Sequence, residues 1–283
     1  MGMSEYLESK LSYIHPSNVT TSNLKNSPEG IILLSDVSKP DQTPLDVRVD
    51  KVPKYAEGRE DSVYQVQFGD MTISGQTDSS PKIIQPVAIK AADSLSRAIR
   101  EYNTIKYLNS REEGRPLTFR VLGFTRWGGN YSVITEFESG VVTYDNTILN
   151  EAHKPTESEI SEALTTAALT LATLNDLGLA HGDFQVKNTA RDINNRVRIV
   201  DLTEMRRFNS PDDTFEDIAL YIESLSGFGT RFSHVSPQQF DEYFLKTYEK
   251  NIPDIFSASK RLEVKMAVHA LRDMLDVTLI TPR

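Results

Sequence analysis

His181-Gly182-Asp183-Phe184-Gln185-Val186-Lys187-Asn188 is the stretch on which the reading of this chain turns. A helical pattern runs into it and two β-type segments follow. The octapeptide therefore reads as a turn that presents a carboxylate, Asp183, and an amide, Asn188, five residues apart. An Asp alone can accept a proton. An Asp with a nearby Asn, and a second Asp leaving a buried strand, can orient a hydroxyl and hold Mg²⁺ on a phosphate tail. The second Asp is present: Val197-Arg198-Ile199-Val200 enters Asp201, and the polar stretch begins after Leu202-Thr203.

Working outward, Thr156-x-x-Glu159 is a capping box. It opens a helix with Ile160, Ala163, Leu164, Ala167, Leu171 and Leu174 on one stripe, and Gly178 stops it. For His181 a hydrogen-bonded core role beneath the turn is expected rather than proton transfer. His15, His153, His234 and His269 show no metal-ligand spacing. Further upstream, Phe119 to Phe124 and Tyr131 to Phe137 read as strands around the turn Trp127-Gly128-Gly129-Asn130. Leu95, Ile99, Tyr102 and Ile105 mark an amphipathic helix over 93–108, with Glu101 on the flank of its apolar face. Pro86-Val87-Ala88-Ile89-Lys90 is a strand that puts Ala88 and Lys90 on one face. Strands are also expected at 30–34, 47–52 and 62–66, a short helix at 4–14, loops at 15–29 and 40–44, and a hairpin connection at 69–85. Gly140 to Asn150 reads as a connector. Beyond Asp201, Arg206 and Arg207 could bind anions but read more readily as solvated, and helices are expected around 215–225, 237–250 and 257–277.

These pieces, in this order, resemble the protein-kinase-like superfamily. His-Gly-Asp-x-x-x-x-Asn resembles the catalytic loop as spelled in aminoglycoside, choline and related small-molecule kinases and in some atypical protein kinases. Ordinary protein kinases have Arg at the place of Gly182. Asp201-Leu202-Thr203 resembles the metal-binding Asp-Phe-Gly, and Val87-Ala88-Ile89-Lys90 the third strand of the small lobe. The resemblance covers roughly residues 47–225. It implies an α+β, bilobal protein-kinase-like fold, with an antiparallel-sheet N-lobe bearing one helix (47–137), a mainly helical C-lobe (138–283), and an N-terminal extension (1–46) packed on or near the N-lobe.

The resemblance also implies roles. Asp183 is the expected catalytic base, with Lys187 adding charge near the transferring group. Asn188 and Asp201 are expected to hold Mg²⁺. ATP is expected to meet Lys90, paired with Glu101, and also Gly58, Val63, Ala88, Thr135, Glu136 and Glu138. The alternative partner for Glu101 is Arg97, as an exposed i,i+4 pair. Asp217, in Asp-Ile-Ala-Leu-Tyr, occupies the place of an Asp that caps the catalytic loop's amides; the alternative is an exposed first-turn Asp. The sequence departs from the pattern in two ways. Only Gly58 remains of the glycine-rich loop, with Ala56 and Asp61 at the other positions, and no Ala-Pro-Glu-like stretch follows Asp201. The implied function is ATP-dependent phosphoryl transfer to a hydroxyl on a protein or a small molecule. A nucleotide-binding pseudokinase acting as a scaffold is the alternative.

Composition narrows the classes. The 283 residues carry a formal charge of −9 and no Lys/Arg-rich run, which argues against a nucleic-acid partner. There is no cysteine, hence no disulfide, no thiol nucleophile and no Cys-ligated zinc, in keeping with a cytoplasmic setting. No apolar run approaches the roughly 18 residues of a membrane span, so no membrane partner is expected.

Overall fold

The computed structural model describes residues 32–34, 46–51, 66–74, 83–92, 94–111, 117–127, 130–138, 140–149, 154–225, 234–254 and 256–280. The chain divides into two compact units, Met1–Ser139 and Gly140–Arg283. Helices and antiparallel sheets together make it an α+β protein. The expected helix at 4–14, the loops at 15–29 and 40–44, and Gly58 and Val63 lie outside the described residues, as do the tip glycines 128 and 129.

The first unit holds a six-stranded sheet. Its strands are β1 (Ile32–Leu34), β2 (Asp46–Lys51), β3 (Val66–Ser74), β4 (Ile83–Ala92), β5 (Val121–Trp127) and β6 (Asn130–Glu136), in the order β1-β5-β6-β4-β3-β2. β1, from the N-terminal extension, pairs with β5 through Ile32↔Thr125. Residues 69–85 are not one connection. β3 extends through Ser74 and β4 starts at Ile83, in register Met71↔Gln85 and Ile73↔Ile83. Cross-strand pairing along the whole length outweighs the polar local composition that reads as loop. Along β4, Val87 and Ile89 are buried while Ala88 and Lys90 are half-buried, the alternation of a strand with one core face.

One helix of this unit is described, α1 (Leu95–Arg111). Ser94 caps it, its Oγ accepting the Arg97 N–H at 3.3 Å. The buried stripe is Ala98, Glu101, Tyr102, Ile105 and Leu108. Leu95 and Ile99 are only half-buried, so the inner face is rotated from the expected one and Glu101 lies within it rather than on its flank.

The second unit is mainly helical. Residues 140–150, expected as a connector, contain β7 (Val142–Thr143) and α2 (Tyr144–Ile148), whose Tyr144 and Ile148 are buried one turn apart. In α3 (Glu157–Asp176) both halves of the capping box form: Thr156 Oγ1 accepts the Glu159 N–H, and Glu159 Oε2 accepts the Thr156 N–H at 2.7 Å. Its six stripe residues are all buried. Gly178, at φ 74°, turns the chain into β8 (Leu179–Ala180). After the octapeptide come β9 (Thr189–Arg191), β10 (Val197–Ile199), β11 (Arg206–Arg207) and α4 (Pro211–Leu225). β10, β9 and β7 form one small sheet and β11 with β8 another.

Residues 237–250 are helical but not uniformly so. The π-helical turn Asp241–Leu245 separates α5 (Pro237–Phe240) from α6 (Lys246–Lys250), and Phe240 and Phe244 stack there at 4.8 Å. The last helix, α7 (Ala258–Ile280), packs on α4. No helix among the described residues is long and apolar enough to cross a membrane.

Candidate functional site

The octapeptide is fixed from below by its own apolar members. Phe184 and Val186 are fully buried, while Asp183, Gln185 and Lys187 between them are not. Phe184 packs on Tyr221 with ring centroids 5.3 Å apart, and Tyr221 on Phe244 at 5.1 Å. Burying one such Phe is worth about 1.5–3 kcal/mol, which anchors the turn. The Val186 N–H donates to Ser224 Oγ of α4 at 3.0 Å, a second anchor in the same helix.

Two amides grip the Asp183 carboxylate. Gln185 Nε2 donates to Oδ1, and Asn188 Nδ2 donates to Oδ2 at 3.0 Å and to the Asp183 carbonyl at 2.8 Å. Both donors are neutral, so they orient the carboxylate without adding charge. Asn188 uses its nitrogen this way, which turns its amide oxygen to other partners. Gln185 has no role expected from the sequence; folding shows that two residues along an extended segment suffice for it to reach back to Asp183. Lys187 is exposed.

Asp201 is brought to Asn188 by the β9–β10 hairpin. Ile199 is registered with Thr189, and the Val200 N–H donates to the Asn188 carbonyl at 2.9 Å. The hairpin is braced by a buried ion pair, Arg198 to Asp192 at 2.9 Å. The Asn194 and Arg196 N–H groups donate to the same Asp192 carboxylate. Asp201 itself has φ 56°. A non-glycine residue in the left-handed region costs about 1–2 kcal/mol and marks a place where local geometry is imposed by its surroundings. Thr203 Oγ1 donates to Asp201 Oδ1 at 2.8 Å and so orients this carboxylate.

Among the described residues no group of three or more His, Asp and Glu could hold a metal ion. Asp201 and Asn188 offer one carboxylate and one amide oxygen, both hard donors of the chemical kind that Mg²⁺ accepts.

Asp217 of α4 holds the turn from inside. Its Oδ2 accepts the His181 N–H at 2.9 Å and its Oδ1 the Gly182 N–H at 2.8 Å. It is fully buried, not an exposed first-turn Asp. His181 is buried too, its Nδ1 accepting the Asp183 N–H at 3.3 Å. Burial pushes the Asp217 carboxyl up to about 6, while the two amide bonds and Arg206 pull the other way. The folded value lies above the unfolded 3.8, so protons bind the folded state more tightly. Stability linked to Asp217 is therefore complete below the unfolded value and is lost as pH rises through about 6, to a total of about 3 kcal/mol. Amide NMR of His181 and Gly182 should titrate with a midpoint near 6. In Asp217→Asn that titration disappears and the stability–pH curve flattens over this range. A His181 amide that does not move between pH 4 and 7.5 would contradict this.

In the first unit, Lys90 Nζ meets Glu101 Oε1 at 2.8 Å, with both side chains largely buried. Glu101 thus meets Lys90, the partner expected for it. The register places Ala88 opposite Thr135 and Lys90 opposite Val133, so Ala88, Lys90 and Thr135 share one sheet face. The Glu136 N–H donates to the Arg120 carbonyl at 2.9 Å, and the Phe137 N–H to the Pro86 carbonyl at 3.1 Å. The Glu136 carboxylate pairs with Arg120. Lys90→Met should cost about 3 kcal/mol, because a buried carboxylate loses its cation. Adding Glu101→Leu should return most of that loss in denaturant melts. A Lys90→Met cost under 1 kcal/mol would show the pair to be solvated.

Comparison of the sequence with protein-family models and with curated proteins finds no match in either.

Proposed function

We propose that the chain is an ATP- and Mg²⁺-dependent phosphotransferase of the protein-kinase-like type, with a bilobal fold and a cytoplasmic site of action, transferring a γ-phosphate to a hydroxyl of a protein or a small molecule. The observation that carries the reading is the Asp183–Asn188–Asp201 arrangement. One carboxylate is oriented by two neutral amides, and the backbone of Asn188 is bonded to that of Val200, the residue that precedes Asp201. The Lys90–Glu101 pair beside Ala88 and Thr135 supports it from the first unit.

In this reading Asp183 accepts the proton of the acceptor hydroxyl as its oxygen bonds to the γ-phosphorus. The bond from that phosphorus to the β–γ bridging oxygen breaks, and ADP leaves with the electron pair. Lys90, fixed by Glu101, holds the α- and β-phosphates. Asn188 and Asp201 would hold Mg²⁺, which would supply charge compensation to the phosphate oxygens. Such transfer needs positioning and charge compensation more than covalent help from the protein, and positioning is what the two-sided grip on Asp183 supplies.

Asp201→Ala tests the metal role. It should weaken Mg·ATP binding about tenfold or more by calorimetry, on the scale of a lost charge-assisted contact. ATP without Mg²⁺ should show little difference between the two proteins. Equal Mg·ATP affinity in both would remove Asp201 from the metal site.

A further inference from the structure

Gly182 has φ 78°, and a Cβ built on it would lie 2.5 Å from the Glu204 carbonyl oxygen and 2.7 Å from an Arg206 terminal nitrogen. The guanidinium of Arg206 thus lies against the backbone of the turn at the residue before Asp183. It is held there from α4: Arg206 Nε donates to Asp213 Oδ1 at 3.1 Å, and another nitrogen pairs with Asp213 at 3.0 Å and with Glu216 at 2.6 Å. Asp213 in turn accepts the Asn209 and Ser210 N–H groups ahead of the helix, so Arg206 is locked to a fixed element. Its strand, β11, pairs with β8 immediately before the turn through Arg206↔Ala180. Nothing in the residues around Arg206 separates it from a solvated arginine. The signal was the glycine at 182, which frees the space that Arg206 fills.

We propose that Arg206 is a positioning residue for Asp183: it covers Gly182 and keeps the turn seated on the Asp217 carboxylate. Its meaning for catalysis rests on the phosphotransferase reading; its geometry does not. Ionised, Asp217 accepts both amide N–H groups, whereas protonated it loses much of its pull on them. The positive charge of Arg206 favours the ionised form, while Asp213 and burial oppose it, and Tyr248 is the further titratable group that faces it. Arg206 is partly exposed, so solvent tempers the effect.

The test follows the His181 and Gly182 amides by ¹H–¹⁵N NMR against pH in the full chain, and needs no activity. Arg206→Gln, which keeps hydrogen-bonding capacity but not charge, should raise the midpoint by about half a pH unit or more. Arg206→Lys should leave it within about 0.2 units of the native value. If phosphoryl transfer is measurable, the acid limb of kcat should move up with the midpoint in Arg206→Gln and not in Arg206→Lys, with KM for ATP unchanged. A midpoint in folded Arg206→Gln equal to the native one would overturn the proposal. So would an equal shift in both variants, which would point to packing rather than charge. A shifted midpoint with no activity in any protein would leave the positioning geometry standing and count against the phosphotransferase reading instead.

Discussion

Asp183→Asn should lower kcat for phosphoryl transfer from Mg·ATP by about 10²–10⁴, the usual worth of a general base, while ATP affinity stays within a few-fold of native. The side chain keeps its shape and loses only the ability to take a proton. Its surroundings can absorb the change. The carboxylate meets Gln185 Nε2 at one oxygen and Asn188 Nδ2 at the other. An Asn at this position can keep its oxygen toward Asn188 and turn its NH₂ toward Gln185, whose amide can flip to accept. The cost is therefore local and small, about one hydrogen bond or less. In the proposed reading, the metal ligands Asn188 and Asp201 are left unchanged. Turnover within about threefold of native would remove Asp183 from the role of base.

Gly182→Ala should be the most damaging small substitution in the second unit, costing about 2–5 kcal/mol. Two independent terms add. A left-handed backbone costs an alanine about 1–2 kcal/mol over glycine, and a Cβ at 2.5 Å from a backbone oxygen must push the Glu204 segment away. Glu204 lies between Asp201 and β11, so relief of the clash disturbs both the Asp201 side and the Arg206 contact. Thermal unfolding should fall by about 10 °C if the domain behaves as one of ordinary size. Phosphoryl transfer should fall with it even well below the melting temperature, because the displaced atoms belong to the turn that carries Asp183. An alanine variant as stable as native would show that the turn is looser than its packing indicates.

Much of this centre was legible from the chain alone, and the reasons are local. A turn with Asp and Asn at fixed spacing can be read because it is short and its apolar members, Phe184 and Val186, alternate with polar ones. The capping box at Thr156 and the glycine stop at 178 could be read because a few adjacent residues determine them. Asp217 was legible as a candidate anchor, but the choice between a buried and an exposed Asp depended on how α4 lies against the turn. What escaped the sequence was set at a distance. Arg206 is drawn from solvent by Asp213 and Glu216 on another element. Glu101 sits inside the buried stripe of α1 because Lys90 from a neighbouring strand reaches it. β3 and β4 run through polar residues because each supplies the other's backbone partners.

The most direct test is a crystal structure of the full chain grown with Mg²⁺ and a non-hydrolysable ATP analogue. The proposal predicts one nucleotide with Lys90 Nζ on its α- and β-phosphates. A magnesium ion should lie about 2.1 Å from oxygens of Asn188 and Asp201, and the Asp183 carboxylate should face the γ-phosphate. A nucleotide bound away from these side chains, or phosphates that touch only one of the two sets, would contradict it.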